Sequence, residues 1–394
     1  MRRNIQKPQI LWIQPHNPTL CTAKTTMCNH TTELKNMKII ISTILFFLLA
    51  GSLSAQNKLI FHTESVDSLL VWMQKGCAKN NINRLTNQPG NQFMEQLLRD
   101  QEKAVITYKK AVHDFNYKDS TSGSVYLLKD AYKKRFEITD LLNKIRSSNF
   151  AEDAYKRVVK YFPANYTPPR NYEVFFTATG WQWGDAMSFN YIVKNGEYSL
   201  SDKGTPAIIF NLTLVCMTYG NTLTEQMDAL KDVMSHELFH AIFSDYIKSN
   251  WHSWNNENIG NNTLYLMLNE GLAHYISNGK LLREGYNKDD KLKQKEKMAF
   301  VSLSDSAKII FNTEKSDEER RTALNLGLFG KYWGKYICIT GFFMAYHIDQ
   351  HYGPEGLSEC IKNGPVYFIK KYETIRQINP ELPPLPDEII NLTK

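Results

Sequence analysis

Two histidines four residues apart, with a glutamate beside the first, stand out in the stretch MSHELFHAIF as His236, Glu237 and His240. On an α-helix, residues four apart lie on one face, one turn above the other. Two imidazoles so placed can both reach one zinc ion at about 2.0–2.1 Å. Glu237 points to the side, where a carboxylate can take a proton from water that a metal has made acidic. The plain alternative is an amphipathic helix that happens to contain two histidines, and five positions alone carry a real false-positive risk. A hydrolytic zinc needs a third protein ligand and keeps its fourth position for water. The reading therefore depends on a ligand elsewhere in the chain.

Glu270, in LNEGLAHY, follows His240 after 29 intervening residues and falls on the next predicted helix. H-E-x-x-H followed by N-E-G-x-A resembles the gluzincin metallopeptidases, in which that glutamate is the third zinc ligand. Asn269, Glu270, Gly271 and Ala273 match the second motif residue by residue. The resemblance covers roughly 220–350. A similar layout occurs in secreted bacterial families known as zinc-dependent peptidases of unassigned substrate. It implies Zn2+ held by His236, His240 and Glu270, Glu237 as general base, and a peptide or protein substrate.

This sequence departs from the gluzincin pattern in two places. The gap between His240 and Glu270 is longer than in familiar members, and the extra length is expected in SNWHSWNNENIGNN as a lid or wall of the cleft. Some relatives carry an aspartate four residues after the third ligand; here that position is His274. His274 can orient a ligand histidine, replace Glu270 as ligand, or simply pack in its helix.

The resemblance also implies that the strand before the metal helix holds substrate as an added antiparallel strand. AIIFNLTLV is placed for that role, and equally for a buried core strand. Aminopeptidase relatives carry G-x-M-E-N, whose glutamate holds the substrate amino group. GDAMSF, Gly184 to Phe189, lacks that glutamate, which favours an endopeptidase over an aminopeptidase. Gluzincins support the oxyanion with a Tyr or His from a later helix. In YICITGFFMAYHI the candidate is Tyr336, with Tyr346 and His347 as rivals. The competing class is an exported protein that binds a peptide or partner through a vestigial zinc site. A purely structural zinc site fits less well, because such sites favour four protein ligands, usually with cysteine.

These residues need elements to position them. From 62 to 161 apolar residues recur at three- and four-residue intervals, the pattern of helices. Prolines at 163, 168 and 169 end it. Tyr172 to Thr177 is aromatic and β-branched, GWQWGDAMSFNYIV reads as a turn and a strand, and Thr205 to Gly220 is the strongest strand segment. Thr222 and Glu225 fit a capping box opening a helix to about Ser249. TLYLMLNEGLAHYISNGKLL and GKYICITGFFMAYHIDQHYG read as further helices, and NPELPPLPDEII as an extended tail. The expected fold is α+β, mainly α. A helical region, 56–165, precedes a zincin-like domain, 166–394. That domain holds a small antiparallel sheet (170–220), metal helices (222–281) and a C-terminal helical part (282–394).

Residues 37–55, MKIIISTILFFLLAGSLSA, have the charged start, apolar run and small-residue end of a secretory signal. The run is short of the roughly 20 apolar residues that span a bilayer. Met37 is the expected initiator, 1–36 an upstream extension of the gene model, and the protein is expected outside the cytoplasm without a stable membrane anchor. Residues 1–55 carry six basic side chains against Glu33, a net of +5 within the chain's +7, which leaves 56–394 near +2. That remainder has no dense basic stripe of the kind nucleic-acid binding needs. Cys77, Cys216, Cys338 and Cys360 remain beyond the leader, with no C-x-x-C pair. They permit two disulfides or buried free thiols.

Overall fold

Helices dominate because the apolar period of three to four residues recurs along most of the chain. The structure, a computed structural model, describes residues 58–80, 82–100, 106–119, 125–180, 186–201, 203–252, 254–255 and 257–394. The expected leader and upstream extension lie outside these residues. In chain order the described elements are β1 (Leu59–His62), α1 (Glu64–Gln74), α2 (Ile82–Thr86), α3 (Pro89–Asp100), α4 (Tyr108–Asp114), α5 (Leu128–Ser147) and α6 (Phe150–Val159). Then come β2 (Tyr172–Thr177), β3 (Ala186–Lys194), β4 (Glu197–Leu200), β5 (Thr205–Asn211), α7 (Leu212–Thr218), α8 (Leu223–Asn250) and α9 (Ile259–Gly285). The chain closes with α10 (Asp290–Ile310), α11 (Asp317–Leu326), a 3-10 turn (Tyr332–Gly334), α12 (Tyr336–Asn363), α13 (Pro365–Ile378) and α14 (Asp387–Asn391). Gly353, at φ 70°, breaks α12. None of the described helices is long and apolar enough to cross a membrane.

The fold is mainly α with a small sheet, and the sheet is mixed rather than antiparallel as expected. Its order is β1-β2-β5-β3-β4. β1, β2 and β5 run parallel, while β3 is antiparallel to β5 and β4. The six helices between β1 and β2 supply the long crossover that parallel pairing demands. β3 and β4 join through Asn195 and Gly196, both at positive φ, the tight-hairpin geometry that Asn-Gly favours.

The strongest strand segment also divides. β5 ends at Asn211, whose side chain accepts from the amides of Thr213 (3.1 Å) and Leu214 (3.4 Å) and so caps α7. The β-branched tail of that segment is therefore helix. At the C-terminus, Asp387–Asn391 forms a helical turn directly after Pro386, where no later proline ring blocks it, so only the proline run is extended.

Asn57–Lys394 forms one compact unit. Behind the sheet, Phe93 of α3 packs at 4.8–5.6 Å on the rings of Phe175, Phe189, Tyr191 and Tyr198. In the C-terminal half, α9 and α12 approach backbone to backbone at Gly271 and Gly341. A Cβ on Gly341 would stand 2.0 Å from the Met267 carbonyl oxygen, and one on Gly271 would stand 2.4 Å from the Gly341 carbonyl carbon. Cys77, Cys216, Cys338 and Cys360 are all free thiols.

Gly341→Ala is expected to lower the unfolding free energy by at least about 1–3 kcal/mol, because the added methyl must push main chain apart. Urea denaturation measures it. An unchanged midpoint would show that the two helices separate without cost.

Candidate active site

The capping box forms at the start of α8. Thr222 Oγ1 accepts from the Glu225 amide at 3.2 Å, and Glu225 accepts from the Thr222 amide at 3.0 Å. Downstream, α8 buries Met234, Leu238, Phe239 and Ile242. Helical period then turns His236, Glu237 and His240 away from that core. α9 runs antiparallel beside α8. His240 meets Asn269 and Glu270, His236 meets Ala273 and His274, and the rings of Phe243 and Tyr265 stack at 6.3 Å.

The ligand atoms converge. Nε2 of His236 and Nε2 of His240 are 3.1 Å apart. Glu270 reaches both, with Oε2 3.9 Å from His236 Nε2 and Oε1 3.6 Å from His240 Nε2. His240 Nδ1 bonds Asn269 Oδ1 at 3.0 Å, and the His236 ring bonds the Ala273 carbonyl. Those oxygens require N–H on the outer ring nitrogens, so both Nε2 lone pairs face one point. Two lone pairs at 3.1 Å repel unless a cation, proton or metal lies between them. Ligand nitrogens around tetrahedral zinc are about 3.3 Å apart, from Zn–N lengths of about 2.0–2.1 Å. The donor set fits a zinc ion.

The electrostatics set the imidazoles apart. Burial, followed by the charges of His240, His274 and Lys335, holds the His236 pKa well below that of an ordinary imidazole. Burial pushes His274 down to about 3, with Lys335 and His240 adding to the shift. At His240 burial disfavours the cation, but the Glu270 and Glu237 carboxylates and the Asn269 bond outweigh it and raise the pKa.

Glu237 lies at the exposed mouth of this cluster, where Ser188 of β3 donates to its Oε2 at 2.7 Å. No residue-type rule singled out Ser188; only the antiparallel addition of β3 beside α8 brings it there. β5 cannot serve as the substrate strand, because β2 and β3 pair with its two edges. The neighbour of Glu237 is β3.

The loop expected as a lid is elsewhere. α8 continues to Asn250 and α9 starts at Ile259, so the extra length lies mostly in helix. At 1.5 Å per residue the connection begins about 16 Å along α8 from His240. There Trp251 packs on Phe243 and donates to the Ile361 carbonyl.

Tyr336 does not face the cluster. Its buried hydroxyl donates to the Ala323 carbonyl, because the first turn of α12 leans on α11. The rivals are also engaged: His347 Nε2 pairs with buried Glu296 at 2.7 Å, and the Tyr346 ring packs on Tyr286 at 4.9 Å. The phenol beside the ligands is Tyr332, one turn earlier. Its ring stands perpendicular to His274 at 5.3 Å, and its buried hydroxyl has no hydrogen-bond partner among the described residues. Burial raises its pKa, so the phenol keeps its proton. In the sequence Tyr332 is one aromatic among several in KYWGKY, with nothing to set it apart.

A family model described as "Putative zinc dependent peptidase (DUF5700)" matches residues 82–380. The chain belongs to this family. No curated protein and no solved structure matches it.

Asn269→Leu keeps the side-chain volume and removes the oxygen that orients His240. Zinc affinity is expected to fall about 10–100-fold, read by competition with a chromophoric chelator. Unchanged affinity would mean that packing alone holds the ring.

Proposed function

We propose that this zinc-peptidase family member is an exported hydrolase that cleaves peptide bonds with zinc held by His236, His240 and Glu270. The observation that carries the reading is the 3.1 Å approach of two imidazole nitrogens, flanked by a glutamate that reaches both, with a second carboxylate at the open side. When bound, zinc polarises the scissile carbonyl and makes water acidic enough to lose a proton near neutral pH.

Glu237 takes that proton on its carboxylate and returns it to the leaving amine nitrogen. Ser188 fixes the carboxylate through Oε2, so the base is oriented before substrate arrives. Asn269 and the Ala273 carbonyl hold the two imidazoles in their ligand tautomers. Tyr332, rather than Tyr336, is the phenol assigned to the oxyanion, since its hydroxyl has no other partner.

The absence of the amine-binding glutamate from GDAMSF favours internal cleavage over aminopeptidase action. The gluzincin resemblance and the leader at 37–55 support an exported zincin. A purely binding protein has no use for a carboxylate oriented beside the ligands.

Glu237→Gln should lower turnover of a peptide library by about 10²–10⁴-fold with zinc content unchanged. Full activity in that variant sinks the proposal. Tyr336→Phe should keep turnover and lose roughly 1 kcal/mol of stability, whereas Tyr332→Phe should lower kcat. Equal kcat in both would remove Tyr332 from the mechanism.

A further inference from the structure

The cluster holds one donor more than a three-ligand hydrolytic site uses. His236, Glu270 and His274 offer ligand atoms that all lie within 4.8 Å of one another. They share His236 and Glu270 with the triad completed by His240. His274 stands four residues after Glu270, as His240 stands four after His236. Each helix thus presents an i,i+4 pair on one face, and the antiparallel register sets the two pairs against each other.

His274 is 6% exposed, and its Nδ1 is one of nine buried side-chain atoms with no hydrogen-bond partner among the described residues. Native interiors rarely leave such a nitrogen unmatched. Plain packing leaves the orphaned nitrogen unexplained. The rings of His236 and His274 lie 4.8 Å apart at 64°.

We propose that His274 is a fourth metal ligand, so that the resting protein holds zinc with His236, His240, Glu270 and His274. This rests on the zinc reading above and adds a latency to it. Four protein ligands make a closed site, and the position used for water opens only when His274 withdraws. Tyr332, packed edge-on against the His274 ring, holds it inward. A substrate whose oxyanion draws the Tyr332 hydroxyl to itself would release His274 and open the site.

The test uses the full chain loaded with zinc alone, with His274→Ala and His274→Gln beside the wild type. Circular dichroism of the zinc-free proteins checks that they fold. X-ray absorption fine structure should count three imidazoles in the wild type and two in either variant. Chelator competition should show affinity falling at least about tenfold. In the cobalt-substituted proteins, azide should change the visible spectrum of the variants and leave the wild type unaltered. Two imidazoles in the wild type, with equal affinity in the variants, overturn the assignment of His274 while leaving the peptidase reading intact. A wild type that binds no zinc overturns both.

Discussion

The antiparallel register of α8 against α9 decides which side chains can meet at the site. Helix pitch is about 5.4 Å per turn, so a slip of one turn would carry Glu270 away from His240 and set Asn269 against nothing. Several contacts hold the register. Phe243 stacks on Tyr265 at one end and His240 bonds Asn269 in the middle. At the other end Arg157 of α6 bonds the Ile276 carbonyl at 2.8 Å and Asp232 of α8 at 2.6 Å, bridging both helices. Behind Glu270, the close crossing at Gly271 and Gly341 lets α12 support α9 without an intervening side chain. The glycine of N-E-G therefore has a packing reason as well as a place in a motif.

The N-terminal half reaches the site through the sheet. Gln96 of α3 bonds the Tyr198 carbonyl and the Leu200 amide of β4, both at 3.0 Å, and Phe93 fills the aromatic cluster beneath. This anchors the β3–β4 hairpin, and β3 in turn presents Ser188 to Glu237. The helices before residue 160 touch no ligand, yet they set where one edge of the cleft stands. The long crossover they form is also what lets β1 and β2 run parallel.

Elsewhere the C-terminal bundle ties its helices together through buried polar side chains. Tyr286 and His347 both bond Glu296, which is 2% exposed, and Tyr275 bonds Asp349 and Arg283. Tyr172 and Arg170 close on buried Asp245 at 3.0 and 2.9 Å. These networks pin helices together, because a buried polar group left unmatched costs more than a matched one gains. Among the described residues nine buried side-chain atoms have no hydrogen-bond partner, and two of them, the His274 nitrogen and the Tyr332 hydroxyl, lie at the ligand cluster.

The sequence by itself determined what helical period and short-range chemistry determine. His236, Glu237 and His240 share a helix, Thr222 and Glu225 open it, and Glu270 follows on the next. These relations span four residues or rest on a compact motif, and chain geometry alone enforces them. The tertiary structure decided the rest. The direction of the sheet depended on a six-helix crossover, and the fate of AIIFNLTLV on an Asn211 cap and on which strands flank it. Tyr332 and Tyr336 look interchangeable in KYWGKY, yet one turn of helix sends Tyr336 to the Ala323 carbonyl and leaves Tyr332 against His274. Ser188 reaches Glu237 from 49 residues away. Such encounters come from packing between distant segments, and no local periodicity encodes them.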